Sequence, residues 1–101
     1  MYDMSEIIKD ENKDMLFQAI LSLETTQQCY DFFEDLCTKA EMREMARRFL
    51  AARLIREGEK YTTIVEKTGL STATITRVNG ALREGCGGYA RALDILGVEK
   101  K

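Results

Sequence analysis

The chain has 101 residues, 45% hydrophobic and 32% charged, with no proline, histidine or tryptophan. That is room for one small domain spanning 1–101, and no apolar run nears the 18 residues of a membrane span. The net charge of -2 singles out no partner, but residues 1–37 set two basic side chains against nine acidic ones, and residues 38–101 set thirteen against eight; this asymmetry points the back half toward a polyanion.

The opening residues, MYDMSEIIKDENKD, are acidic and polar, unlike a signal or transit peptide, and residues 1–9 are expected to fray. No stretch alternates with period two, so the chain reads as all-α. A first helix is expected from Asn12 to Glu24, with Met15, Leu16, Phe17, Ala19, Ile20 and Leu23 on one broad stripe. Thr25 or Thr26 caps a second, Gln27 to Cys37, with Tyr30, Phe33, Leu36 and Cys37 apolar. Thr38-Lys39-Ala40-Glu41 is a capping box opening a long helix to Glu57. Met42, Met45, Ala46, Phe49, Leu50, Leu54 and Ile55 should face inward, and Gly58 should end it in a left-handed turn. Arg43, Arg47, Arg48, Arg53 and Arg56 line this helix as either solvated arginines paired to nearby glutamates or a phosphate-facing ridge.

A short helix from Thr63 to Thr68 follows, then Gly69-Leu70, then a helix from Thr72 to Glu84. A glycine between a short and a longer helix marks a helix-turn-helix, here at about 62–84. Ile64 and Val65 form the buried pair, Gly69 supplies a positive φ, Leu70 plugs the turn and Ser71 caps the second helix. Ile75, Val78 and Leu82 share one face of that helix at 100° per residue; the opposite arc carries Ala73, Thr76, Arg77 and Gly80. Side chains that short let a helix sit deep in a major groove, where threonine and alanine reach thymine methyls and hydroxyls reach bases or phosphates. Thr74 points sideways and can bond back to its own helix. Gly85, Gly87 and Gly88 break the chain before a last helix, Tyr89 to Leu96, that packs Ala92, Leu93 and Leu96 and stops at Gly97.

Cys29, Cys37 and Cys86 lack metal-ligand spacing, and free thiols fit a reducing, cytoplasmic setting. With no histidine, no phosphate-cradling glycine loop and no nucleophile beside a base, the sequence predicts no enzyme and calls for no cofactor.

The string ATITR (Ala73 to Arg77) followed by Leu82-Arg83 resembles the recognition helix of the Trp repressor family, and REGE (Arg56 to Glu59) and Thr38 fit the preceding long helix. The resemblance covers Leu36 to Arg83, with the rest matched by helix order; within the family it is similar to the YerC/YecD-type proteins of Gram-positive bacteria. It implies six helices and an intertwined homodimer with exchanged N-terminal helices; together with the helix-turn-helix, the leading reading is a dimeric, sequence-specific regulator, a repressor by expectation, that binds double-stranded DNA. In the family's founding member, tryptophan wedges between two arginines, which correspond here to Arg48 (Arg47 one register away) and Arg77, with Thr38 at the start of the long helix. The glycine that leaves room for the indole is Val78 here, and the serine that holds the amino group is Ala81, so tryptophan is not expected as corepressor.

The reading assigns DNA contacts to Lys60, Lys67, Ser71, Thr72, Ala73, Thr76, Arg77 and Arg83. Thr72, Ala73 and Thr76 would read bases, while Lys60, Lys67 and Arg83 would hold phosphate. A candidate pocket for an unidentified small-molecule effector takes Thr38, Arg47, Arg48, Arg77, Val78 and Ala81. The alternative is a protein–protein module on the same scaffold, favoured by overall acidity and by a groove face with little charge of its own.

Overall fold

The computed structural model describes residues 10–101, so the fraying expected of residues 1–9 and most of the acidic leader lie outside the described residues. Six helices follow in order: α1 (Glu11–Leu21), α2 (Thr26–Leu36), α3 (Lys39–Arg56), α4 (Tyr61–Thr68), α5 (Thr72–Glu84) and α6 (Gly88–Ile95). Two compact units divide the chain, one up to Lys39 and one from Ala40 to Lys101.

In the first unit, Asp10 caps α1, its carboxylate accepting from the amides of Asn12 (2.9 Å) and Lys13 (3.3 Å). The helix stops at Leu21, three residues before the expected Glu24. Ser22 closes it by donating its hydroxyl to the Ala19 carbonyl at 2.6 Å and its amide to Gln18 and Ala19. Thr25 is the α2 cap, accepting from the Gln28 amide at 3.1 Å, while Gln28 reaches back to accept from the Glu24 amide at 2.7 Å. Phe32 and Phe33 meet edge to face. Neither helix contains a buried residue, and Met15, Phe17, Leu21, Tyr30 and Leu36 are exposed.

The second unit holds the core. Ala51, Ala52 and Leu54 of α3, Ile64 of α4, Leu70 of the turn, Ile75 and Val78 of α5 and Leu93 of α6 form one buried cluster. Phe49, Leu50, Ile55, Val65, Leu82, Tyr89 and Val98 pack around it, half-buried. The inward set expected for α3 needs correction: Met42, Met45 and Ala46 are exposed, and the fully buried positions are the two alanines. Alanine adds little apolar area but lets neighbouring helices approach closely. Phe49 stacks obliquely on Tyr89 at 6.2 Å between ring centroids, tying α3 to α6.

Glycines of positive φ end three helices. Gly58 (φ +83) and Gly97 (φ +74) close α3 and α6 in matching motifs: the Glu59 amide returns to the Leu54 carbonyl and the Val98 amide to the Leu93 carbonyl, each at 3.0 Å. Gly69, at φ +72, ends α4. α4 starts at Tyr61, two residues earlier than the pattern suggests, with Lys60 at the cap position without a side-chain bond. α5 begins and ends where the sequence puts it, and α6 is shifted one residue toward the N-terminus. Among the described residues no helix is long and apolar enough to cross a membrane.

Candidate nucleic-acid interface and adjoining cleft

α4, the Gly69 turn and α5 form a helix-turn-helix whose inner side is pinned by Ile64, Leu70, Ile75 and Val78, each no more than 5% exposed. Gly69 is there for its backbone: a Cβ would meet nothing within 4 Å, so the requirement is the positive φ and not space. Thr68, a position the sequence left without a role, holds the turn from beneath. It is 4% exposed, donates its hydroxyl to the Ile64 carbonyl at 2.7 Å and accepts from the Leu70 amide at 3.1 Å. A threonine one residue before a helix-ending glycine was the available signal, since its hydroxyl can bond back one turn.

Ser71 caps α5 as expected, accepting from the Thr74 amide at 3.1 Å and donating to the Thr74 hydroxyl at 3.1 Å. Of the residues assigned to DNA, Lys60, Lys67, Ser71, Thr72, Ala73, Thr76, Arg77 and Arg83 are all exposed. Thr72, Ala73 and Thr76 form a low outer arc on α5, while Lys67 stands in the last turn of α4. Arg83 sits one turn after Asn79 and donates its Nε to the Asn79 Oδ1 at 2.8 Å; the Asn79 amide nitrogen donates to the Tyr61 hydroxyl at 3.1 Å.

The arginines of α3 divide by environment. Arg48 pairs with Glu44 (3.1 Å) and Arg53 with Glu57 (3.4 Å), both across one helical turn, while Arg43 and Arg47 are exposed. Arg56 leaves the proposed ridge altogether. Its side chain is 9% exposed, donates to the Ala90 carbonyl at 3.2 Å and pairs with Asp94, bracing α3 against α6. The hydrogen bond from Arg56 holds the Asp94 carboxyl below its ordinary pKa of 3.8, aided by the Arg56 and Lys100 charges and opposed by partial burial.

Beside Arg77, at the margin of the outer arc of α5, a small open cleft of about 100 Å³ is lined by Arg48, Thr74, Arg77, Val78, Ala81 and Tyr89. Four of the candidate effector residues, Arg48, Arg77, Val78 and Ala81, thus border one space. Arg47 lies one residue and 100° further back on α3 and is not part of the lining. Thr38 belongs to the first unit. Thr74 and Tyr89 are additions the sequence did not offer, because Tyr89 arrives from α6 and only the tertiary fold brings it here. The volume is well below the roughly 300–1,000 Å³ of pockets that enclose drug-sized ligands. Val78, 4% exposed, serves at once as core residue and cleft wall.

Comparison with known sequences and structures places this helix-turn-helix fold in a family. The family model described as Trp repressor protein matches residues 11–96. This chain belongs to the Trp repressor family. It is 46% identical over 87 residues to the uncharacterized protein YerC of Bacillus subtilis (strain 168), covering 86% of this chain and 84% of that one. A provisionally assigned Trp repressor of Staphylococcus aureus superposes with a TM-score of 0.89 at 39% identity, over 99% of this chain and all of that one. A TrpR-like protein of Eubacterium eligens ATCC 27750 superposes at 0.88 with 48% identity, over 92% and 96%. Within the Trp repressor family the chain is therefore of the YerC type, with that fold's six helices.

Proposed function

We propose that this Trp repressor family member is a homodimeric, sequence-specific DNA-binding transcriptional regulator, of repressor type, working in the cytoplasm as a single 1–101 domain and not as an enzyme. The observation that carries the reading is the contrast across α5. Ile75 and Val78 are buried, while Thr72, Ala73, Thr76 and Arg77 remain exposed on a slim outer arc. That arc enters a major groove, with Thr72, Ala73 and Thr76 against base edges and the capped start of α5 against the backbone. Lys60, Lys67 and Arg83 take phosphates on either side.

Dimerisation is supported by α1 and α2, which expose Met15, Phe17, Leu21, Tyr30 and Leu36 and bury nothing. Two copies place two α5 helices in successive grooves, with half-sites about 34 Å apart. Tryptophan is not the corepressor in this reading. The Val78 side chain stands in the cleft wall, and Ala81 offers no hydroxyl to an amino group; an ammonium left without that partner costs on the order of 1–3 kcal/mol.

Selection of bound duplexes from a random pool, at several salt concentrations, tests the proposal. Enrichment of a two-fold symmetric sequence with one-turn spacing is the expected result. Absence of any salt-dependent retention of duplex DNA would overturn it and leave the protein–protein module as the reading to pursue.

A further inference from the structure

Resting on the DNA-binding reading, we infer that Tyr61 and Asn79 are positioning residues that hold Arg83 as a preset phosphate clamp beside the recognition helix. Three side chains form one hydrogen-bonded line across the two helices of the motif. The Arg83 Nε donates to the Asn79 Oδ1 at 2.8 Å, and the Asn79 Nδ2 donates to the Tyr61 hydroxyl at 3.1 Å. The amide orientation is forced by chemistry, because a flipped Asn79 would turn its NH₂ toward a guanidinium that can only donate.

The consequence for Arg83 lies in what the line leaves over. Bonding through Nε fixes the plane of the guanidinium and consumes one donor, so the remaining four N–H groups, all on the two Nη atoms, stay available. None of the ion pairs among the described residues involves Arg83, so no carboxylate competes for that fork. Two parallel N–H groups in a fixed plane match two oxygens of a phosphate. A free arginine gives up rotamer freedom when it binds a phosphate, and a pre-oriented one gives up less. Tyr61 is the first residue of α4 and Asn79 lies in the middle of α5, so the clamp is set only when both helices are docked in register.

A merely structural staple between α4 and α5 would look the same in the folded chain, so the test must separate the two. Affinity for a mixed-sequence DNA duplex is measured across a salt series for wild type, Arg83→Met, Tyr61→Phe and Asn79→Ala, and for the last two combined with Arg83→Met. Arg83→Met should weaken binding about 10-fold and lower the magnitude of the salt slope by roughly 0.9. Tyr61→Phe and Asn79→Ala should each weaken it about 3- to 5-fold with the slope nearly unchanged, since no charge is removed. Both effects should vanish in the Arg83→Met background. In the DNA-free protein, the Arg83 Nε–H signal should be ordered and slow to exchange, and should lose both properties in Asn79→Ala. If Tyr61→Phe and Asn79→Ala bind like wild type while Arg83→Met does not, or if their losses persist without Arg83, the clamp is refuted and DNA binding stands. If wild type ignores the duplex at every salt concentration, both the clamp and the function reading fall, whatever the Nε signal shows.

Discussion

Replacing Thr68 with valine removes one oxygen from beneath the helix-turn-helix and keeps the shape of the side chain. The hydroxyl has two partners: it donates to the Ile64 carbonyl and accepts from the Leu70 amide. The loss is unequal. The Ile64 carbonyl still has the helical bond of α4, but the Leu70 amide, attached to a residue 5% exposed, is left without a partner. Stranding a buried donor costs about 1–3 kcal/mol, and the methyl that replaces the hydroxyl returns no more than about 0.8 kcal/mol. A net loss of about 1–2 kcal/mol corresponds to a fall in Tm of roughly 4–16 °C for a domain of this size. Thr68→Ser keeps both bonds and should lose much less. Urea unfolding followed by circular dichroism, at one fixed protein concentration because association feeds into apparent stability, measures the difference. A valine variant with the wild-type midpoint, or a serine variant as weak as the valine one, would refute the reasoning: the hydroxyl would then not be what holds the turn.

Gly69→Ala should destabilise by about 1–2 kcal/mol through the left-handed backbone alone, because an added Cβ has open space, and Gly69→Asn should cost less; equal urea midpoints for the two variants would count against this. Lys67→Ala should lower the magnitude of the salt slope of DNA binding by roughly 0.9, and an unaltered slope removes Lys67 from the footprint. Titrating the protein with tryptophan in a calorimeter should give no micromolar isotherm; a clear one would show that the Val78 wall yields. Because Asp94 is held below its ordinary 3.8, its bond to Arg56 stabilises the folded state above that value, and the contribution disappears as pH falls through the lowered one. The stability gap between wild type and Asp94→Asn should therefore be constant near neutrality and close on acidification; a gap that widens in acid would reverse the assignment.

Much of the helix-turn-helix was legible because each part depends on local chemistry. Ser71 caps α5, Gly69 turns, and Ile75 and Val78 repeat at helical spacing, so the sequence alone located α5 to the residue. The cleft was half legible. Arg48, Arg77, Val78 and Ala81 came from the family resemblance, but Tyr89 and Thr74 border the same space because of how α6 and α5 pack. No spacing rule within one helix encodes that meeting. Arg56 misled for the same reason: along α3 it is one more arginine, and only α6 shows it to be a brace.

The α3 result carries this further. Periodicity says which residues share a face and is silent on which length of the face has a neighbour. Met42 and Met45 are on the apolar side by spacing, yet they are exposed, while Ala51 and Ala52, which contribute little to any hydrophobic pattern, are fully buried. The packed core uses the second half of α3, where Leu54 and the two alanines meet residues of α4, α5 and α6. An exposed methionine pair in the first half is then best explained, under the proposed homodimer, as surface kept for a second copy. Met45→Glu should accordingly shift the apparent molecular mass toward the monomer in sedimentation while leaving the monomer's helicity intact, since Met45 is outside the buried cluster. If the variant sediments as wild type does, that length of α3 faces solvent, and the partner surface must be sought on α1 and α2 alone.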